Sequence, residues 1–331
     1  MKAQWRPSRA QGLLALAVAL VAAAAAAGWH LLGGDRKLRV AITSWPGYEY
    51  LYLAEQKRLG DRYGLELLTK QFTSLEDQRA AYVRGDVEVI ASTIPDTIAI
   101  CQEAPERCPE LILVLDQSAG ADALVSYKNI SGIRDLVGKQ VGLERTVLGE
   151  YLLLRALETK GLGLSEVQLK YDGPNALVQA LEDGMVAAIV TYPPYANGLV
   201  SDPRFSVLFS SLAIPGEIVD VLAVNPAYAR RHPAKLRALV RTWWAAQALA
   251  RAEPEASRQL MAQREQITPA EFAASEKQIS YPGPAEQIRL LSADGPLALV
   301  LARMAEQMAA AGRIAPDSPV PQMSKAFLAD P

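Results

Sequence analysis

Strand-like apolar runs alternate with helical patterns through most of this chain, and that alternation limits the folds it can adopt. The run KLRVAIT at 37–43 has the pattern of a strand, a polar-aromatic link SWPGY follows it, and a helix pattern then continues to about residue 59. Strands that alternate with helices in this way predict parallel pairing, with helices on both faces of a sheet. The expected fold class is therefore α/β, with parallel or mixed sheets and flanking helices.

Two passages in the chain join strands without an intervening helix. The first is LVLDQSAGADALVSY at 113–127, where two apolar runs are linked by a short polar segment. The second lies near Pro215–Asp220 and leads into EIVDVLAVN at 217–225, which has the pattern of a strand returning to the first series. Two such crossings predict two lobes with a ligand cleft between them. The expected lobes are 37–117 plus 218–331, which ends in a helical segment after Pro226, and 118–217.

Residues 1–36 have the layout of an export segment. Positive charges at Lys2, Arg6 and Arg9 precede an unbroken apolar run at 13–27, which is the order of a signal peptide. The apolar character continues for several more residues and reaches about twenty, the length of a membrane-spanning helix. We therefore expect either a cleaved signal peptide or a retained N-terminal anchor. Both options place the rest of the chain outside the cytoplasm, in the periplasm or an equivalent compartment.

Composition excludes some classes of partner. Half of the residues are apolar, 21% are charged and the net charge is −2. No cluster of Lys and Arg follows the N-terminal segment, so nucleic acid is not an expected partner, because phosphate binding needs such clusters.

The sequence contains only two cysteines, Cys101 and Cys108, which enclose the short segment QEAPER. In an oxidising compartment a disulfide between them is expected, although two unrelated thiols are the alternative. No histidine lies nearby, so a metal site is not expected here.

Polar and aromatic residues recur where predicted strands end and helices begin. In open α/β sheets, ligands bind outside the carboxyl ends of strands and near helix N-termini. Hydroxyl, amide and aromatic groups at these positions suit a small polar molecule. The predicted ligand-binding residues are Ser44, Trp45, Gly47, Tyr48, Ser74, Ser92, Thr93, Ser118, Asp122, Thr146, Thr191, Tyr192 and Asp220.

Each of these candidates also has a simpler structural interpretation. Ser74 and Thr93 are typical helix N-caps, and aromatic residues such as Trp45 often pack between a loop and the core. The two carboxylates at the crossings could pair only with backbone groups.

Several short motifs, in this order and spacing, resemble one family of transport proteins. The motifs are Trp45, Gly47, Tyr48 and the YLA of 52–54; Gly85, Asp86 and Val87; Asp116, Ser118, Gly120, Ala121 and Asp122; Asp135, Leu136, Gly138 and Lys139; Gly184, Ala187 and Ala188; and Pro215, Gly216, Asp220, Val221 and Leu222. The chain is similar to the nitrate/sulfonate/taurine (NitT/TauT) class of periplasmic solute-binding proteins of ABC importers, which have a type II two-lobed fold.

The resemblance implies a function and a set of partners. Such a protein, expected to be a monomer without a cofactor, captures a small polar solute between its lobes and delivers it to an ABC permease in the membrane. Arg145 is the one basic residue that the pattern offers for a sulfonate or a nitrate-like anion. Acidic residues near the predicted cleft favour an amine-bearing solute instead, since a buried charge needs a partner. These acidic residues are Asp96, Asp122, Glu150, Glu217 and Asp220.

The sequence is poor in catalytic groups, so no enzyme activity and no catalytic residue are expected. Its only histidines are His30 and His232, and it contains neither a Ser-His pair nor a phosphate-binding loop that could be proposed as a catalytic motif. Two alternatives stay open. One is a membrane-tethered solute sensor, and the other is an enzyme on the same fold, of the pyrimidine-precursor type.

Overall fold

The computed structural model describes residues 36–328. The predicted export segment at 1–36 lies outside these residues, apart from Arg36. Within the described range, no helix has the length and apolar character needed to cross a membrane.

The first sheet collects strands from both ends of the described chain, and we call this sheet with its helices the first lobe. The spatial order is β11-β4-β10-β3-β1-β2, and β12 pairs with β4. β1 is parallel to β3, whereas β10 runs antiparallel to both β3 and β4. The strands are β1 Lys37–Ile42, β2 Glu66–Gln71, β3 Val89–Thr93, β4 Glu110–Ser118, β10 Val219–Val224, β11 Ile279–Ser280 and β12 Gln322–Met323.

The second sheet is built from the middle of the chain, and we call it with its helices the second lobe. Its order is β7-β6-β8-β5-β9. β6 is parallel to β7 and β8, whereas β5 is antiparallel to β8 and β9. Both sheets are therefore mixed, because the strand next to each crossing runs against its neighbours. The strands are β5 Ala123–Tyr127, β6 Gln140–Leu143, β7 Gln168–Tyr171, β8 Ala188–Thr191 and β9 Phe205–Ser210.

Helices flank both sheets, and many begin at a proline, which is pre-organised for the first helical turn. The first lobe carries α1 Glu49–Gln56, α2 Leu75–Arg84, α3 Ile94–Glu103, α7 Pro226–Arg231, α8 Pro233–Ala252, α9 Pro254–Arg264, α10 Pro269–Glu276, α11 Pro284–Leu290 and α12 Pro296–Ala310. The second lobe carries α4 Val147–Glu158, α5 Pro174–Glu182 and α6 Tyr195–Ser201.

Two crossings connect the lobes and lie side by side. The first joins β4 to β5, and the second joins β9 to β10. The hydroxyls of Ser118 and Ser211 lie 2.8 Å apart, so each crossing contributes one of them. The amide of Gly120 donates to the Ser211 hydroxyl at 2.7 Å, and the amide of Asp122 donates to the Ser118 hydroxyl at 3.1 Å. These bonds hold the two crossings together at the base of the cleft.

The lobes also pack against each other away from the crossings. Helices α3 and α4 are in contact, and one buried apolar cluster includes Ile98 of α3 together with Tyr151 and Leu152 of α4. Beyond α3, Cys101 and Cys108 are bonded to each other, with an S–S distance of 2.00 Å. The disulfide ties the end of α3 to the segment that leads into β4.

Candidate functional site

A small cavity lies on the floor of the cleft. Its volume is about 20 Å³, which is enough for one water-sized group. Residues of both lobes and of the first crossing form its wall, so the cavity exists only where the two lobes meet. The lining residues are Thr43, Trp45, Tyr48, Leu75, Thr93, Asp122, Leu148, Tyr192 and Asp220.

A row of polar side chains crosses the first sheet at this floor. Asp220 of β10 lies opposite Asp116 of β4 on one side and opposite Thr93 of β3 on the other. β10 starts where β3 and β4 end, so its first residues reach the carboxyl edge of those strands. Two carboxylates are therefore placed directly across from each other in adjacent strands, which is unfavourable when both are ionised.

Burial and mutual repulsion change the acidity of this pair. Burial raises the pKa of Asp116 to about 7. Burial raises the pKa of Asp220 well above its usual range, and the neighbouring Asp116 charge raises it further. The Tyr48 hydroxyl donates to Asp220, and the Trp45 indole N–H lies 3.3 Å from each carboxylate oxygen of Asp116. The two donors fix the orientation of both carboxylates.

Gly47 permits this arrangement because it has no side chain. A Cβ at this position would lie 2.1 Å from Asp116 Oδ2 and 2.3 Å from Trp45 Nε1. Both distances are far inside van der Waals contact, so the backbone of the first loop approaches the carboxylate only with glycine here.

Asp122 is the third carboxylate of the floor, and it has a free oxygen. Its side chain lines the cavity and is only 4% exposed. Its Oδ2 atom has no hydrogen-bond partner among residues 36–328. Burial raises the pKa of Asp122 to about 6, against the opposing effect of the Ser118 hydrogen bond.

Aromatic rings close the cavity on its other sides. The rings of Trp45 and Tyr192 meet edge to face, with their centroids 6.1 Å apart. Tyr192 follows β8 in the second lobe, whereas Trp45 follows β1 in the first. This contact therefore spans the cleft and forms an aromatic wall next to the carboxylates.

A larger groove of about 720 Å³ opens beside the floor and is also lined by both lobes. Arg145 lies in it, with its guanidinium 4.3 Å from the centre of the Tyr171 ring. Glu144 lines the same groove, and burial raises its pKa to about 7. At the far wall, Arg264 donates to Glu49 at 2.6 Å, so its charge is already paired.

The structure brings part of the predicted set together at the floor. Trp45, Tyr48, Thr93, Asp122, Tyr192 and Asp220 line the cavity, and Gly47 lies directly beneath it. Ser44 and Ser74 line the outer groove instead, where Ser44 donates to Glu265.

The remaining candidates make other contacts. Thr146 accepts a bond from the Gly149 amide as the N-cap of α4, and Ser118 joins the crossings. Ser92 and Thr191 are buried within β3 and at the end of β8. Ser74 and Thr93 also cap their helices, as the alternative interpretation predicted. Ligand contact by these residues stays a prediction.

Asp116 is the main residue that the predicted site set omits. The signal that points to it is a single carboxylate inside the otherwise apolar run LILVLD of β4. The same signal marks Asp220 in VDVLAV of β10. A buried charge in a central strand needs a reason, and pairing both strands would have placed the two acids together. Leu75 and Leu148 carry no such signal, because apolar residues at helix starts are common.

Comparison with known proteins places the chain in a family. A sequence model of the NMT1-like family matches residues 33–265. The taurine-binding periplasmic protein of Escherichia coli is 28% identical over 174 residues, which cover 50% of this chain and 53% of that protein. The chain thus spans about half the length of this curated relative.

Solved structures show the same two-lobed fold. The alkanesulfonate-binding protein SsuA from Xanthomonas axonopodis pv. citri, bound to MOPS, has a TM-score of 0.71 at 18% identity, covering 85% of this chain and 94% of its own. The desulfurization enzyme DSZB in complex with biphenyl-2-sulfinic acid has a TM-score of 0.61 at 15% identity, covering 88% and 98%. The fold therefore accommodates both solute binding and catalysis. Since the family model covers more than half of the sequence, this chain belongs to the NMT1-like family.

Proposed function

We propose that this protein is an extracytoplasmic solute-binding protein that captures a small polar solute between its lobes and delivers it to an ABC-type importer. One observation carries the proposal: a buried polar and aromatic cavity is walled by both lobes at the point where the two crossings meet. A solute at this place touches both lobes, so it stabilises the closed arrangement over an open one. The predicted lobe boundaries at 117/118 and 217/218 belong to this proposal.

The proposed compartment is the periplasm or its equivalent. Its support is the taurine-binding periplasmic relative and the bonded pair Cys101–Cys108, since disulfides persist in oxidising compartments. A freely diffusing carrier and a protein tethered by its N-terminus differ only in residues outside the described range.

A thermal-shift screen of the purified chain tests the proposal. The compounds are taurine, alkylsulfonates, nitrate, urea, amines and pyrimidines. A solute at 100 times its Kd stabilises the folded state by about 2.7 kcal/mol, which a melting curve resolves. If no compound of any class shifts the melting temperature, the proposal loses its basis.

Two tryptophan variants locate the site. Trp45→Phe removes the N–H that faces Asp116 and narrows the aromatic wall, so the shift should be largely lost. Trp244→Phe is the matched control, because Trp244 is a partly buried residue of α8 that does not line the cavity. A shift that survives in Trp45→Phe would place binding elsewhere.

The second candidate is an enzyme, and the similarity in fold to DSZB is the observation that favours it. Within residues 36–328 both cysteines are consumed by one disulfide, so a thiol nucleophile requires its reduction. Chemical conversion of a solute that binds, followed by mass spectrometry, separates the two functions: a carrier returns its solute unchanged.

A further inference from the structure

The cleft floor carries three buried carboxylates within one small cavity wall. Asp116 and Asp220 face each other across adjacent strands, and Asp122 leaves the first crossing beside them. Each of the three is less than 5% exposed. A buried cluster of this kind is costly unless it is protonated or receives a cation.

Asp122 Oδ2 is the group that points to a ligand. The other carboxylate contacts on the floor are made by the protein, from Trp45 to Asp116 and from Tyr48 to Asp220. Asp122 Oδ2 is buried and has no partner among the described residues, although its side chain faces the cavity. An unpaired buried acceptor costs about 1–3 kcal/mol, which a donor in the cavity would recover.

The basic side chains near the cleft do not neutralise this floor. Arg79 bonds to Asp96 at 2.9 Å and lies 3.4 Å from Glu103, and Arg264 is bonded to Glu49. Arg145 lines the outer groove, where it stacks over Tyr171. None of these three arginines lines the cavity.

Helix N-termini at the cavity act in the opposite direction and have to be weighed. Helices α2, α3 and α4 all begin at its wall, and each N-terminus carries about half a positive charge. Together they amount to about one and a half charges, against three carboxylates. Their N-caps Ser74, Thr93 and Thr146 already accept bonds from the first-turn amides. The helix ends help the floor to hold negative charge but leave it acidic.

Size and shape restrict the ligand group further. A cavity of about 20 Å³ accepts a group as large as one water, and an ammonium group has that size. Its three N–H donors match the carboxylate oxygens around it, and Trp45, Tyr48 and Tyr192 supply ring faces or edges of the kind that surround bound cations.

We propose that the solute carries a protonated primary amine, and that its ammonium group occupies the cleft-floor cavity with Asp122 Oδ2 as an acceptor. The inference rests on the proposed solute-binding function and adds the class of solute to it. The rest of the solute extends into the outer groove, whose 720 Å³ admits a molecule of metabolite size.

Matched end groups on one alkyl chain test the inference. Propylammonium, propan-1-ol and propane-1-sulfonate are titrated into the purified chain by calorimetry, each up to tens of millimolar. Only propylammonium should bind, and taurine should bind better than ethanesulfonate because taurine also carries an amine. Binding of the sulfonates without the amine overturns the inference but leaves the solute-binding function standing. Binding of neither series overturns the inference as well, and the broader thermal-shift screen then decides the proposed function separately.

Two charge-matched variants locate the ammonium group. Asp122→Asn keeps the shape of the side chain and removes its charge, so propylammonium binding should weaken at least tenfold. Asp172→Asn removes the same charge from the exposed rim of the outer groove and should change the affinity less than twofold. Equal effects of both variants would mean that the amine senses only the general acidity of the cleft, and the assignment to Asp122 would be wrong.

The wild-type protein offers a check that needs no variant. The amine requires ionised acceptors, so its affinity should rise from pH 5 to pH 8, and propane-1-sulfonate should show no such rise. An affinity for the amine that is flat over this range contradicts the inference. The titratable groups that face Asp122 or its two partners are Asp116, Asp220, Tyr48, Asp96, Glu144 and Tyr192.

Discussion

At the scale of single residues, the cleft floor depends on the missing side chain of Gly47. A methyl group there would overlap both Asp116 and Trp45. We expect Gly47→Ala to lower the free energy of unfolding by about 1–3 kcal/mol, the usual cost of overpacking. Denaturant unfolding measures the change.

The control for this substitution is Gly198→Ala in α6. No heavy atom outside the helix backbone lies within 4 Å of that added Cβ, so the variant should be neutral or gain about 0.5–1 kcal/mol from helix propensity. Equal losses in both variants would show that the close approach at Gly47 is not what matters.

Asp122 should make stability depend on pH. Its pKa rises from 3.8 in a model carboxyl to about 6 in the fold, so the protonated form is the one that the fold favours. A raised pKa gives stability that is fully present below pH 4 and is lost as pH rises through about 6. Without a cation, ionised Asp122 thus costs about 3 kcal/mol at pH 8.

Asp122→Asn isolates this contribution. The variant and the wild type should be nearly equal in stability at pH 4, and the variant should be about 3 kcal/mol more stable at pH 8. Denaturant unfolding of both proteins at the two pH values measures the difference. A difference that does not change with pH would mean that Asp122 is not buried in a cavity of this kind.

At the scale of elements, Glu217 on the second crossing joins both lobes. It accepts bonds from Arg155 of α4 at 2.8 and 3.0 Å and from the Tyr151 hydroxyl at 2.6 Å, and Arg303 of α12 lies 3.3 Å away. Burial alone would raise the pKa of Glu217, but the bonds from Arg155 and Tyr151 outweigh it and hold the pKa below its usual value. The carboxylate is therefore ionised and paired in the fold.

We expect Glu217→Gln to lower the free energy of unfolding by about 1–3 kcal/mol, because charged hydrogen bonds are lost at a mostly buried position. Glu158→Gln is the matched control, since Glu158 bonds to the same Arg155 but is exposed and should contribute less than about 1 kcal/mol. Urea unfolding compares the two. A larger loss from Glu158→Gln would mean that the crossing is not the critical partner of Arg155.

Local sequence signals predict the elements well and their pairing poorly. The helix expected at 233–252 is found at Pro233–Ala252, because a proline start and a sustained helical pattern define it. By contrast, the alternation of strands and helices favours parallel pairing, yet β10 enters the first sheet antiparallel between β3 and β4. That position depends on the chain returning through the second crossing, which no local pattern specifies.

The same limit applies to the site. Residues at strand ends and helix starts, such as Trp45 and Thr93, follow from the geometry of α/β sheets. The contact of Asp116 with Asp220 joins distant parts of the chain and depends on strand register. The proline-rich end is a further case: it was expected along the surface, but it adds β12 beside β4.

At the scale of the whole molecule, access to the cavity requires the lobes to part. Residues of both lobes wall a space no larger than one water, and α3 packs against α4 across the cleft. A solute larger than water therefore reaches the floor only when the crossings bend. The clamp between Ser118 and Ser211 holds the two crossings together, so they are expected to move as one hinge.

The most direct test of the central claim is small-angle X-ray scattering of the purified chain with and without a saturating solute found by the thermal-shift screen. A closed chain of 331 residues should have a radius of gyration near about 20 Å. The account predicts a larger radius without the solute and a decrease to about this value when the solute saturates its site. An unchanged radius at saturation would contradict closure of the two lobes around the solute.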